Sequence, residues 1–323
     1  MTVSEPTFTV VMPAYNAAST IAGSIRSVLA QSRSDWELLV VDDGSTDETV
    51  AVVQSFQDDR VLLLRGEHAG PAAARNRALG VARGKLVSLL DSDDLFLPTY
   101  LASMNAALEA APEASLAYTQ AWILDDRSGR IDRRPTAEAF QPGPEMPPSD
   151  PALLFRQLLA DNFVFVATTS QRSALEDVGF LNTACIGCED YELWLRLAAH
   201  GHHFVRVVAP LAIYRRHARS LSADPATQAR RIRDMYVSVS ETFDLSDDLR
   251  TTVARRVTAA DEHIALVSGA AGSASLRYRV RAFAAQAARN RFGRNLLRAP
   301  PTAEVAKTLA LSFAANAAEK PGR

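Results

Sequence analysis

The sequence predicts an α/β fold: a mostly parallel sheet flanked by helices, followed by a helical C-terminal extension. Three observations carry this. Short apolar runs alternate with stretches of helical periodicity through the first hundred residues. Several of these runs stop abruptly at polar or acidic residues. From about Thr227 onward the chain turns Ala/Arg-rich and reads as helices. Strands alternating with helices at this spacing give a mainly parallel sheet with helices on both faces. In such sheets ligands bind beyond the carboxyl ends of the strands.

Taken in order, Phe8–Met12 is a buried-strand run ending at Pro13. Ser19–Gln31 carries Ile21, Ile25, Val28 and Leu29 at helical spacing. Trp36–Val41 is a second strand, stopped by Asp42-Asp43-Gly44, and Asp47–Phe56 a helix with Ser45 or Thr46 as its N-cap. Val61–Leu64 is a third strand, and Pro71–Ala82 a helix with proline near its start. Lys85–Leu90 is a fourth strand, ending in Asp91-Ser92-Asp93, and Thr99–Ala111 another helix. Beyond Leu124, Pro135–Pro151 holds six prolines in 17 residues and reads as an irregular loop. Phe163–Thr168 reads as a strand, Glu189–Ala199 as a helix, and Phe204–Tyr214 as one or two strands. The expected division is a binding and catalytic domain over 1–224 and a helical region over 225–323.

With 323 residues, 47% of them apolar and 22% charged, a large core is within reach and wholesale disorder is excluded. The net charge of −2 hides an asymmetry: residues 1–224 hold 19 basic and 28 acidic side chains, residues 225–323 hold 16 and 9. The acidic part argues against a nucleic-acid partner. Two cysteines, Cys185 and Cys188, exclude a disulfide scaffold, and without a second pair their spacing reads as structural rather than zinc-binding. His200, His202 and His203 read as a solvated helix end. Met1–Pro6 has no basic leader, and Pro13, Asn16, Ser19 and Thr20 interrupt the uncharged stretch after it. A cytoplasmic chain without a membrane span is expected.

The chemistry concentrates at strand ends. Asp91 and Asp93 lie on the same side of an extended backbone. Two hard oxygen ligands there suit Mg²⁺ or Mn²⁺; a solvated turn capping the next helix is the other reading. Asp42-Asp43-Gly44-Ser45 serves either as a turn with an N-cap or as an acceptor for a ribose or base imide. The helix opening at Gly70-Pro71, with Arg75 behind it, offers amides and a guanidinium to a diphosphate, although Arg75 could equally pair with a surface acid. Glu189-Asp190 either complements a helix dipole or aims a carboxylate base into the crevice.

The segments VVMPAYN, LLVVDDGSTD, GPAAARNRAL, LLDSDD, EDYELWLRL and YRRHARSLS occur in this order. Together, over roughly residues 7–222, they resemble glycosyltransferase family 2, mostly inverting enzymes with the GT-A fold. The resemblance implies that Pro13, Ala14, Tyr15 and Asn16 pack against a donor nucleotide. It implies that Asp43 contacts the base with Asp42 beside it, and that Arg75 lies on the nucleotide side. Asp91, Ser92 and Asp93 match the D-x-D motif, Asp93 holding the metal and Asp91 lying near ribose and metal. Asp190 matches the catalytic base, Glu189 its acceptor-side neighbour, and His217 a late histidine that approaches metal and diphosphate.

The resulting expectation is a metal-dependent, non-processive, inverting transferase. It would move a sugar from a nucleotide-diphosphate donor, UDP-sugar foremost, to a saccharide or lipid-linked acceptor in cell-surface polysaccharide or glycolipid synthesis. Gln228-Ala229-Arg230-Arg231 has the first part of the Q-x-x-R-W motif of processive members, but Ile232 replaces the tryptophan, and the match reads as chance. The alternatives are a catalytically silent nucleotide-sugar-binding scaffold and a sugar nucleotidyltransferase. The latter would carry a Gly-rich basic loop after the first strand, and Met12–Ala18 has neither Gly nor Lys/Arg. Ser275–Arg298 contains seven Arg and no acid, which suits either packing on the acidic core or peripheral contact with anionic lipid at the inner face of the plasma membrane.

Overall fold

The computed structural model describes residues 5–133, 146–218, 220, 223–268 and 303–318. Strands β1 (Phe8–Ala14), β2 (Trp36–Asp42), β3 (Val61–Arg65) and β4 (Leu86–Leu89) alternate with helices α1 (Ile21–Leu29), α2 (Thr49–Gln54) and α3 (Pro71–Leu79). After the short β5 (Leu95–Phe96) come α4 (Tyr100–Ala110), β6 (Ala114–Asp125), β7 (Arg130–Arg133), α5 (Pro151–Ala160), β8 (Thr168–Gln171) and α6 (Arg172–Asp177). The chain continues through α7 (Glu189–Ala199), β9 (His203–Arg216), α8 (Pro225–Thr242) and α9 (Asp247–Val267). We number the helix Ala303–Ala318 α10.

The strands of the described residues join one sheet in the order β3-β2-β1-β4-β8-β6-β9-β5, with β7 on β6. The half from β3 to β4 is parallel. The other half is mixed: β8 runs antiparallel to β4 and β6, β6 pairs parallel with β9, and β5 runs antiparallel to β9. The continuous apolar runs follow from burial on both faces. Phe8, Val10 and Met12 of β1, with Leu38 and Val40 of β2, pack on the face covered by α1 and α4. Val11, Leu39 and Val41 point the other way, into the core built with α3, α5 and α7. The period of two along each strand sorts the residues between these cores.

In register, Ala14 of β1 lies beside Asp42 of β2, and Val11 beside Leu89 of β4. The carboxyl ends of three adjacent strands therefore share one edge of the sheet. Two differences from the sequence expectation have a physical cause. The run 163–167 is not a strand; the pairing begins at Thr168. Its aromatics instead pack as loop side chains, Phe163 against Tyr118 and Phe165 edge-on to Tyr214. Strand β6, twelve residues long, carries an irregular apolar pattern because β8 and β9 flank it while its buried side chains divide between cores.

Helices α8 and α9 do not stand apart. Met235, Tyr236, Val239, Leu245 and Val253 are buried in the core that holds α5 and α7. Val305 of α10 is fully buried beside Leu95, Trp122 and Ile213. Residues 135–145 of the proline-rich segment and all of 275–298 lie outside the described residues.

Candidate functional site

The edge defined by β1, β2 and β4 carries three connected groups of side chains. The first is acidic. The turn after β4 is closed by a hydrogen bond from Asp94 N to the Asp91 carbonyl at 3.1 Å. This turn gathers oxygens of Asp91, Asp93 and Asp94 within 4.8 Å of one another, the one such cluster of metal-capable groups among the described residues. Ser92, between them, is half-buried. Asp93 Oδ2 lies 2.9 Å from Nε2 of His217, which follows β9. Asp94 is buried; its Oδ1 accepts from the backbone N–H of Arg215 at 3.0 Å, and its Oδ2 has no hydrogen-bond partner. Burial, with the charges of Asp93 and Asp91 added, pushes the Asp94 carboxyl well above its ordinary range. Burial also raises Asp91, against the opposing pull of Arg75. Three hard carboxylates that repel one another, one with a bare buried oxygen, fit an oxygen-loving divalent cation.

The second group joins this cluster to α7. Arg75 is buried in α3 and donates through Nη2 to Asp91 at 2.5 Å and through Nη1 to Glu189 at 2.6 Å. Glu189 and Asp190 open α7, where the helix dipole favours acids. Glu189 is buried and its Oε2 has no partner. Asp190 is half-buried, and its Oδ1 accepts from the N–H of Tyr191 at 2.7 Å. Burial, and then the adjacent Glu189 charge, push its carboxyl up to about 6, while Arg75 pulls the other way. A carboxylate with that affinity for protons is a better base than a solvated one, and it still ionises at neutral pH.

The third group lies where β1 and β2 end. Pro13 and Ala14 close β1, and the Ala14 carbonyl accepts from Asp43 N at 2.8 Å. Asn16, at φ +49°, braces the next loop: its N–H donates to Ser45 Oγ at 2.9 Å and its Oδ1 accepts from Thr46 N at 2.8 Å. Asp42 is buried and accepts from Ser45 N at 3.2 Å. Asp43, also buried, accepts from Ala69 N at 3.0 Å and Gly70 N at 2.9 Å. This close approach needs Gly44, where a Cβ would meet the His68 backbone nitrogen at 3.0 Å and where φ is +78°. Tyr15 is about half exposed and stacks on His68.

The structure thus brings Arg75, Asp91 and Glu189 into direct contact, and Asp93 onto His217. Asp43 reaches the same assembly through the loop that leads into α3. Arg75 faces carboxylates from two elements. Sequence reasoning passed over three features. Asp94 was legible as the last acid of D-S-D-D. His68 had no signal beyond its place before Gly70-Pro71. Gln228 and Arg231, read as a chance match, lie against the loop preceding Glu189. Gln228 Nε2 is 3.4 Å from the Gly187 carbonyl, and a Cβ on Gly187 would meet Arg231 Cδ at 2.9 Å. The cysteines are free thiols, Cys188 buried as the N-cap residue of α7. His202 bridges Ser115 at 2.9 Å and Asp177 at 3.1 Å, away from the strand-end cluster.

The sequence profile of Glycosyl transferase family 2 matches residues 9–177, and the chain belongs to that family. It is 34% identical over 243 residues to the succinoglycan biosynthesis protein ExoO of Rhizobium meliloti, covering 74% of this chain and 68% of that one. It is 27% identical over 231 residues to WfaP of Escherichia coli, a UDP-Glc:α-D-GlcNAc-diphosphoundecaprenol β-1,3-glucosyltransferase, covering 71% of this chain and 85% of that protein. Its match to WfgD of Escherichia coli, which carries the same activity description, is 42% identical over 120 residues but spans 37% of this chain and 47% of that relative. Among solved structures, S. aureus TarS 1–349 in complex with UDP-GlcNAc superposes with a TM-score of 0.56 at 18% identity, over 80% of this chain and 70% of that one. A Pyrobaculum calidifontis mannosyltransferase in complex with GDP-Man and Mn²⁺ superposes with a TM-score of 0.58 at 20% identity, over 99% and 82%. These likenesses establish the GT-A type of fold.

Proposed function

We propose that this member of glycosyl transferase family 2 moves a sugar from a nucleotide-diphosphate donor, a UDP-sugar foremost, to a hydroxyl of a saccharide or lipid-linked acceptor, with inversion, in cell-surface polysaccharide or glycolipid synthesis. The observation that carries this is the Arg75 bridge, which joins Asp91 of the acidic cluster to Glu189, the neighbour of Asp190. A cation-binding end and a base-bearing end are thereby parts of one site. The relatives named above support the substrate class.

In this reading Tyr15, Asn16, Asp42 and Asp43, with Pro13 and Ala14 behind them, receive the nucleoside. Asp91, Asp93 and Asp94 hold Mn²⁺ or Mg²⁺, and Ser92 sets the spacing of the turn. An ion held there would supply Lewis-acid stabilisation of the leaving diphosphate. His217 orients Asp93 and can donate to a phosphate oxygen. Arg75 orients Asp91 and Glu189 and offsets their charge. Asp190 accepts the acceptor hydroxyl proton as the oxygen attacks, a contribution of roughly 10²–10⁴ in rate. Attack in one step from the face opposite the diphosphate inverts the anomeric carbon.

Residues 1–224 form the catalytic unit in this reading, and 225–323 a helical region whose first helices brace α7. Among the described residues no helix is long and apolar enough to cross a membrane. The arginine-rich 275–298 would hold a cytoplasmic enzyme peripherally against the inner face of the plasma membrane. Liposome sedimentation at low and high salt tests that contact, and no binding at low salt eliminates it. The test of the activity is a donor screen by thermal shift with and without Mn²⁺, followed by NMR assignment of the product anomer. Stabilisation by no nucleotide sugar, or a retained anomer, would sink the reading.

A further inference from the structure

Asp43 is a buried acid at the end where the nucleoside is placed above. Two of its contacts are backbone N–H groups of Ala69 and Gly70, built into the loop. The third is a side chain: Nδ1 of His68 lies 2.8 Å from Asp43 Oδ2. The same Nδ1 lies 3.2 Å from the Asp43 carbonyl oxygen, which can only accept, so this contact calls for the tautomer with N–H at Nδ1. The same imidazole lies on Tyr15, with ring centroids 4.1 Å apart and planes inclined by 25°. No flat ring can enter between them. One side chain therefore covers both an aromatic face and a carboxylate oxygen. It uses a flat ring and a ring N–H, the two features a uracil-like base would present. The His68 side chain is 56% exposed, so rotation outward meets water rather than packed core.

We propose that His68 occupies the nucleobase position in the free protein and leaves it when the donor binds. This rests on the nucleotide-donor reading above. The base then takes the Tyr15 face and the Asp43 oxygen together, because a single movement uncovers both. An occupied slot lowers the apparent affinity by the fraction of molecules in which it is open. His68 is thus a residue that weakens the grip on the nucleotide.

The test is calorimetric titration of UDP, GDP and dTDP, in excess Mn²⁺, into the full chain and three variants: His68→Ala, Tyr15→Ala and the double variant. His68→Ala should bind its nucleotide about 2- to 10-fold more tightly, the range of one aromatic pair. That gain should shrink in the Tyr15→Ala background, where only the Asp43 oxygen is left to compete for. Unchanged or weaker binding by His68→Ala overturns the proposal, since it would make the imidazole a bystander or a platform for the base. Binding of no nucleotide by any of the four proteins overturns the donor reading itself. Independently of the variants, the His68 ring protons of the unmodified protein should carry a ring-current shift from Tyr15 that nucleotide binding abolishes. A shift that persists at saturation overturns the proposal as well.

Discussion

Arg75 holds Asp91 at 2.5 Å with one guanidinium nitrogen and Glu189 at 2.6 Å with the other. It ties the turn after β4 to the first turn of α7 across the sheet edge. Lysine would offer a point charge where a planar fork is used. Removing the fork leaves two acids in a buried setting without compensation. Arg75→Ala should therefore lose about 3–5 kcal/mol of stability, the cost of breaking a buried ion pair from one side. Urea unfolding measures it, and a loss under 1 kcal/mol would mean that the bridge contributes little.

Asp190 is raised to about 6 by burial and then by Glu189. A base must be ionised to act, so kcat/KM should rise with pH through about 6 and level off above it. Asp190→Asn should abolish that limb and lower turnover by roughly 10²–10⁴ while leaving donor binding intact. Glu189→Gln removes a negative neighbour and should move the limb to lower pH. An unmoved limb in Glu189→Gln would assign the ionisation to another group.

The Asp91, Asp93 and Asp94 carboxylates repel one another without a cation. Mn²⁺ should raise the melting temperature, by an amount corresponding to about 2.7 kcal/mol at a hundred times its Kd. Asp93→Ala should erase that rise and weaken nucleotide binding in Mn²⁺. Equal Mn²⁺ stabilisation in the variant would place the ion elsewhere.

Asp161, after α5, is pushed up to about 7 by burial, with Arg256 pulling the other way, and its Oδ1 has no hydrogen-bond partner. An acid whose folded pKa exceeds its unfolded one costs stability once it must ionise. The contribution of Asp161 to stability should therefore fall as pH rises from about 4 to 7, by an amount on the order of 4 kcal/mol. Asp161→Asn should flatten that slope and be the more stable protein at pH 8. Parallel stability–pH curves for the two proteins would refute the assignment.

Much of this protein was legible in its sequence. Strands β1, β2 and β4 announce themselves because a strand buried on both faces is apolar along most of its length, with Thr9, Glu37 and Ser88 as the buried polar exceptions. The acids at their ends are legible because polar residues cannot continue into such a core. Helix α7 is legible from its acidic first turn and apolar stripe. The misplaced strand at 163–168 and the unassigned β6 mark the limit. Val, Phe and Ala occur both in strands and in loops that pack against a core, and only the pairing partner distinguishes them.

Composition and local pattern determined the α/β class, the sheet edge at which chemistry gathers, and the residue types available there. The tertiary structure alone decided which acid meets which base. Arg75 and Glu189 are 114 positions apart, and Asp93 and His217 are 124. Nothing within a helix turn or a strand step records such an approach. It arises when α3, α7 and β9 are packed on the same sheet, and a charge among carboxylates settles its pairing by which of them the packing leaves within hydrogen-bond reach.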